Sequence, residues 1–560
     1  MKRTMVYILT LILLFFTTQQ SGCNQAAQPL TVIIVIDQFA YSYLFKLSRY
    51  LKNGIKFFMQ EGIFYKNAYY PHALPSTGPG HTGLATGITA DYHGIVGNNW
   101  CDKEGNKIAC DDGDFPKFAV INPINGDAYS VGKGPANIMV DGISDQFVLS
   151  SQPTNPHMVF SLSLKSRSAI CTANKLGKAV WFDAKTGYFT SSHAYFDSLP
   201  SWLNTFNKQK KINTLSKISW PLYFSSHAAP YHFKNIDNYT YSSRPPMAGK
   251  TFSINWNSEK PLELFQRTPA ANQLLFDLAL HCIHTHINSK SPTKLLLWVC
   301  LSPLDMVGHN YGPQSREVID MIYHLDAQIA QFMNAVSSYL KRSDTLFVLT
   351  ADHGVSPIPE ILNDEGYSQA HRINFDILVP ALNQLVHNEF GIPDLIKSCT
   401  SSQIFFQENL FNTLNGEQQK GIIALLKEEL VKHPGIKRVW TQEELAKSCY
   451  EPEQIESFYK RQMYPGRTGR LIIQPFAYCL LDDFNKGTGH RTPYESDTHV
   501  PLILYQKGNL EKQIIDQKVW TLQLANSLAY LLHIQKPSAS TYDLLPGLIM
   551  QQEQIPEPEV

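Results

Sequence analysis

Leu30-Thr31-Val32-Ile33-Ile34-Val35-Ile36-Asp37-Gln38 is a run of apolar and β-branched residues, without alternation, that ends on an acid. A strand with polar residues on neither side must be covered on both faces, which is the situation of a strand inside a parallel sheet. Leu295–Leu301, Thr345–Thr350 and His499–Tyr505 read the same way, and Asp305 and Asp352 follow two of them as Asp37 follows the first. Helical spacing recurs between them, in Gln273–His284 and Glu317–Leu340. The pattern predicts an α/β fold, a doubly wound and mostly parallel sheet with helices on both faces. Ligands of such sheets bind at the carboxyl ends of the strands, so Asp37, Asp305 and Asp352 are expected to meet in space.

Around this core the chain of 560 residues leaves room for elaboration. A single catalytic domain is expected over 28–540, with insertions near 191–261 and 358–473 and a tail over 541–560. Lys2 and Arg3 precede an apolar run from Val6 to Phe16, too short for a spanning helix and suited to a signal peptide over 1–22. Gln20-Ser21-Gly22-Cys23 partly fits a lipoprotein cleavage box, so lipid anchoring at Cys23 stands beside simple cleavage. Export out of the cytoplasm, lipid-anchored or secreted, is expected either way. The formal net charge of +0 and the lack of a basic stripe argue against a nucleic-acid polymer as partner. Of nine cysteines, Cys101 and Cys110 flank a hairpin turn and are candidates for a bridge; no CxxC occurs. Asp111-Asp112-Gly113-Asp114 reads as a solvated turn.

The chemistry begins at Pro75-Ser76-Thr77-Gly78-Pro79-Gly80-His81-Thr82-Gly83. Pro79 suits a first helical turn, which puts Thr77 at a helix N-terminus where free N–H groups favour an anion. Taken alone, that threonine reads as an ordinary helix cap. The Asp305/His309 pair, one helical turn apart, and Asp352-His353 alter the reading, because mixed His/Asp sets suit catalytic zinc. The other histidine cluster, His281, His284 and His286, has no nearby acid and reads as helix-end residues.

Val35-Ile36-Asp37-Gln38, Thr77-Gly78-Pro79-Gly80-His81-Thr82, Asp305-Met306-Val307-Gly308-His309 and Thr350-Ala351-Asp352-His353-Gly354 together resemble the alkaline phosphatase superfamily. The resemblance is closest to the phosphate-irrepressible alkaline phosphatases of Gram-negative bacteria, relatives of the nucleotide pyrophosphatase/phosphodiesterases, and runs from about Thr31 to Pro537. It implies two zinc ions. Asp37, Thr77, Asp352 and His353 would hold one; Asp305, His309 and a third histidine would hold the other. For that third ligand the resemblance favours His490, in Gly489-His490-Arg491-Thr492-Pro493-Tyr494, over His499, although Arg491-Thr492 replaces the usual Gly-Ser.

It also implies that Thr77 is the nucleophile and that Asn98, Lys165 and Arg167 contact the phosphoryl group. An Arg fork beside a Lys charge favours the dianionic phosphoryl of a monoester. The expected activity is hydrolysis of small phosphate monoesters through a phosphothreonine, by a monomer. Alternatives are a phosphodiesterase or nucleotide pyrophosphatase, and a metal-binding lipoprotein without catalysis. A sulfatase is disfavoured, since no Cys/Ser-x-Pro-x-Arg segment is present.

Overall fold

A computed structural model describes residues 29–209, 219–225, 231, 251–253, 260–287, 293–482 and 485–548. The expected leader, Cys23, much of the 191–261 insertion and the tail beyond 548 lie outside these residues. The strand Leu30–Ile36 is buried at every position and lies at the middle of a ten-stranded sheet. Across that sheet the order is Gln513–Ile515, Ile63–Tyr69, His499–Tyr505, Thr345–Thr350, Leu30–Ile36, Lys294–Leu301, His157–Ser163, Lys178–Asp183 and Tyr188–Thr190; Val519–Trp520 also pairs with Ile63–Tyr69. The five strands from Thr345–Thr350 to Lys178–Asp183 run parallel. His499–Tyr505 is antiparallel to both its neighbours. The sheet is therefore α/β and mainly parallel, as the apolar runs require.

Register fixes the site. Ile36 pairs with Leu301 and Val35 with Thr350, so three strands end together. The Asp37 N–H donates to the Leu301 carbonyl at 2.9 Å, which turns the chain out of the sheet at that edge. Helices Pro269–His286 and Arg316–Tyr339 match the two periodic segments with ends moved by a few residues. Ser315 caps the second, its hydroxyl accepting from the Val318 N–H at 3.2 Å. Asp326 on the same helix accepts N–H bonds from Lys52, Asn53, Ile55 and Lys56, fastening helix Gly54–Glu61 to it.

A second, four-stranded sheet forms from Ile396–Thr400, Gln403–Phe406, Leu471–Pro475 and Ile436–Thr441, in that order. With helices Phe375–Phe390 and Gly416–Lys432 it has its own core around Ile404, Leu426 and Ile473. Asn415 and Gln418 form the capping box of the latter helix.

Two sequence expectations fail. Asn99–Cys101 and Lys107–Ala109 do form the hairpin, but Cys101 faces Lys107 and no bridge joins Cys101 to Cys110. Cys101 instead lies 3.0 Å from the Ser398 hydroxyl, and Cys110 contacts the Cys171 thiol. Of the acidic run only Asp111 is not solvated, Asp114 being exposed: Asp111 is buried, and accepts from Lys133 Nζ at 2.9 Å and from the Ser166 hydroxyl. A short sequence of acids looks like a turn, while its partners come from 22 and 55 residues away.

Candidate active site

Thr77 begins helix Thr77–Thr86, every residue of which is buried, and lies at the floor of a cavity of about 780 Å³. The helix can sit so deep because it is nearly smooth. A Cβ at Gly80 would fall 2.2 Å from the Asp352 carbonyl oxygen, so only glycine lets the helix that begins at Thr77 touch the strand end that carries Asp352. The free amides expected at its start are largely taken. The Gly78 N–H donates to Asn98 Oδ1 at 2.7 Å, Pro79 has none, and the Gly80 N–H bonds to the Ser76 carbonyl. With Oδ1 so held, the Asn98 amide N–H2 has no acceptor among the described residues, and Asn98 lines the cavity.

The acids and histidines converge from both sides of the sheet edge. Asp37 Oδ1 lies 3.3 Å from His353 Nε2, and Asp352 Oδ2 lies 3.4 Å from the same nitrogen. Asp305 Oδ1 lies 3.1 Å from His309 Nε2 and 3.8 Å from His490 Nε2. Two groups, Asp37/Asp305/His353 and Asp305/His309/His490, each keep their ligand atoms within 4.8 Å of one another. Each histidine is oriented the same way. Nδ1 of His353, His309 and His490 bonds to the carbonyl of Gly354, Thr488 and Pro75, at 2.9, 2.8 and 2.8 Å, which leaves Nε2 as the lone-pair nitrogen toward the acids. His499 is elsewhere: its Nε2 bonds to the Lys66 carbonyl at 2.6 Å, and its ring is stacked between Tyr41 and Tyr69.

These residues fit metal binding by the chemistry of what they leave unpaired. Asp37 Oδ1, Asp352 Oδ2 and His353 Nε2 are buried without a hydrogen-bond partner. Orphaned buried acceptors are costly unless a cation serves them. Electrostatics agree. Burial, then Asp305 and Asp352, raises the Asp37 carboxyl above the usual range. Burial works against charge on Asp305 as well, yet His309 and Lys165 hold it well below that range. Burial would lower His353, but Asp352 and Asp37 push it up to about 9, whereas burial and the two neighbouring histidines push His490 well down. The field between the acids calls for positive charge.

Lys165 supplies some of it, 2.7 Å from Asp37 Oδ2 and 2.5 Å from Asp305 Oδ2. Arg167, on the first turn of helix Ser166–Ala173, lines the same cavity and has no hydrogen bond or ion pair among the described residues. Both members of the Lys-x-Arg pair thus line the cavity, Lys165 bonded to two of its acids.

Gln38, Asp497 and His81 support these residues from behind, and sequence reasoning assigned no role to the first two. Gln38, at φ 67, donates its N–H to Asp352 Oδ1 and its Nε2 to Asp305 Oδ1, at 3.2 and 2.7 Å, and so links acids 47 positions apart. Gly308 makes room for it, since a Cβ there would lie 1.7 Å from Gln38 Oε1. Asp497 accepts from the Thr492 N–H and hydroxyl at 2.9 and 2.8 Å and from Ser356 Oγ at 2.7 Å, clamping the loop that carries His490. His81 bonds through Nδ1 to the Thr77 carbonyl at 2.9 Å and lies 3.1 Å from Asp352 Oδ2. His281, by contrast, bonds the Trp202 carbonyl, far from these acids.

Residues 31–374 match the family model described as type I phosphodiesterase / nucleotide pyrophosphatase. The chain belongs to this family. Within the alkaline phosphatase superfamily it is 28% identical over 532 residues to the alkaline phosphatase PafA of Elizabethkingia meningoseptica, covering 92% of this chain and 94% of that protein. It is 26% identical over 546 residues to the alkaline phosphatase PhoV of Synechococcus elongatus, covering 94% and 93%. The crystal structure of wild-type alkaline phosphatase PafA superposes with a TM-score of 0.82 at 26% identity, over 92% of this chain and 98% of that one. These likenesses agree with a hydrolase of the phosphatase type in this family.

Proposed function

We propose that the protein is an exported, two-zinc phosphomonoesterase with Thr77 as nucleophile. The observation that carries this reading is the Arg167 guanidinium, not bonded to a carboxylate among the described residues, lining one cavity with Thr77, Asn98, Asp305, His309 and His490. A dianionic phosphoryl group matches that set: the Arg167 fork takes two non-bridging oxygens and the Asn98 N–H2 takes a third. A diester carries one charge fewer and a second organic group against the same donors.

Asp37, Thr77, Asp352 and His353 would hold one zinc, and Asp305, His309 and His490 the other. When bound, the pair supplies Lewis acidity to the attacking and leaving oxygens and lowers the pKa of a coordinated hydroxyl. Thr77 Oγ attacks phosphorus in line, forming the Thr77–O–P bond as the bond to the leaving alcohol breaks; water then attacks the phosphothreonine and frees phosphate. His81 fixes the helix start by tying the Thr77 carbonyl beside Asp352, and Lys165 steadies Asp37 and Asp305. Most of the acceleration is then positioning and charge stabilisation, as phosphoryl transfer requires.

Export rests on the basic and apolar leader, with the lipid anchor at Cys23 as one form of it. No helix among the described residues is long and apolar enough to cross a membrane. The core and the 358–473 insertion act as one catalytic unit in this reading. Purified protein assayed on an aryl phosphate monoester and the matching diester, before and after chelator, tests it. Monoester preference abolished by chelation and restored by zinc is expected; diester preference, or turnover indifferent to chelation, contradicts it.

A further inference from the structure

Two further arginines line the cavity, Arg267 and Arg491. Neither makes a hydrogen bond or ion pair among the described residues. The acids that also line it have partners of their own: Asp183 accepts from Tyr129 and Thr186 hydroxyls at 2.9 and 2.7 Å, Glu263 lies 3.1 Å from Lys260, and Asp305 meets Lys165. With Arg167, three guanidinium groups line one cavity, and none of them is bonded to a carboxylate among the described residues, although in the monoesterase reading one phosphoryl group needs only Arg167 and Asn98.

Arg491 is also held in an unfavourable backbone. Its φ is 92, in the left-handed region that costs a side-chain-bearing residue on the order of 1–2 kcal/mol. The loop imposes it from both ends. Thr488 donates its N–H to the His309 carbonyl at 3.0 Å and its hydroxyl to the Ser356 carbonyl at 2.6 Å, while Asp497 holds Thr492. Glycine would sit there without strain. Strain kept beside a proposed metal ligand, in a residue whose side chain enters the cavity unpaired, points to work done by the side chain. Gln266, beside Arg267, lines the same cavity and donates from Nε2 to the Leu164 carbonyl next to Lys165 at 3.4 Å. At about 780 Å³ the cavity exceeds what one phosphoryl group fills.

We propose that Arg267 and Arg491 form a second anion subsite that selects phosphate monoesters whose leaving group itself carries a phosphate. This rests on the monoesterase reading above. Guanidinium is suited to the task, being weakly hydrated and forked for bidentate contact with phosphate oxygens. The subsite would receive the remote phosphate as the near one meets Thr77, and would bind it in ground and transition states alike, so its effect falls on KM.

The test compares kcat/KM for phenyl phosphate and for propane-1,3-diol bisphosphate in wild type, Arg267→Ala and Arg491→Gly, the last chosen because glycine tolerates the φ. Wild type is expected to show the lower KM for the bisphosphate. Each variant is expected to reduce the bisphosphate-to-phenyl ratio about 10- to 100-fold, mainly through KM. Equal KM values in wild type, or ratios moved less than about twofold in both variants, overturn the subsite while leaving the monoesterase reading intact. Hydrolysis of neither compound by the zinc-loaded wild type overturns both.

Discussion

His353 and His490 stack face to face, with ring centroids 3.7 Å apart and planes 23° from parallel. One histidine follows the strand Thr345–Thr350; the other stands on a loop more than a hundred residues later. The contact brings the two proposed metal positions against each other, and it needs the His490 ring rather than His499.

His490→Ala should accordingly lose zinc from one position and most turnover, about 10²-fold or more. His499→Ala should keep its zinc and lose stability instead, since it removes a ring stacked on Tyr41 and Tyr69. Metal analysis of the two purified variants decides between them. Zinc lost only from the His499 variant contradicts the assignment.

Arg167→Ala should reduce monoester kcat/KM by about 10²–10³, the scale expected for a charged donor in a water-poor site. Diester hydrolysis should fall much less. Parallel losses on both substrates would mean that Arg167 does not read the dianionic phosphoryl group.

Gly80→Ala should fold poorly or lose zinc, because its methyl would press on the Asp352 carbonyl at 2.2 Å. The substitution is mild elsewhere in helices and even stabilising where glycine is not required. A variant with full zinc content and an unchanged melting temperature would show that the helix and the strand end are not so tightly joined.

The pH dependence of stability has a separate source, in His72 beside helix Thr77–Thr86. His72 is buried and neither ring nitrogen has a hydrogen-bond partner among the described residues. Burial and the Arg461 charge push its imidazole down to about 3, and burial with the adjacent His72 pushes His93 down as well. Both are neutral in the fold, whereas unfolded histidines take up protons below about pH 6.5. The unfolded state then binds more protons, so stability is complete above that pH and is lost as pH falls toward 3, at up to about 1.4 kcal/mol per pH unit for each. His72→Phe should flatten the decline in urea midpoint between pH 6.5 and 4.5. An unchanged decline would mean that His72 does not contribute.

How much of this was legible depended on whether a residue's partners were near it in sequence. Leu30–Ile36 and Thr345–Thr350 announce themselves because a strand buried on both faces has to be apolar throughout. His157–Ser163 does not, since Ser161 and Ser163 sit in the core with hydroxyls satisfied by Thr172 and the Cys300 carbonyl. Ile63–Tyr69 was hidden by Lys66 and Asn67, where the pairing shifts register. The metal-type ligands stood out as Asp and His at strand ends. Gln38 and Asp497 did not, because their roles consist of contacts to residues that only the folded sheet edge brings near. For Gln38 the usable signal was its place directly after Asp37.

The central claim is that Thr77 itself becomes phosphorylated. Zinc-loaded protein mixed with a phosphate monoester, quenched in acid within the first turnovers and digested, should yield one added phosphoryl group on the peptide carrying Thr77. Thr77→Ala should show none and retain its zinc, with turnover lost. A phosphoryl group on any other residue, or full activity in Thr77→Ala, would contradict the account.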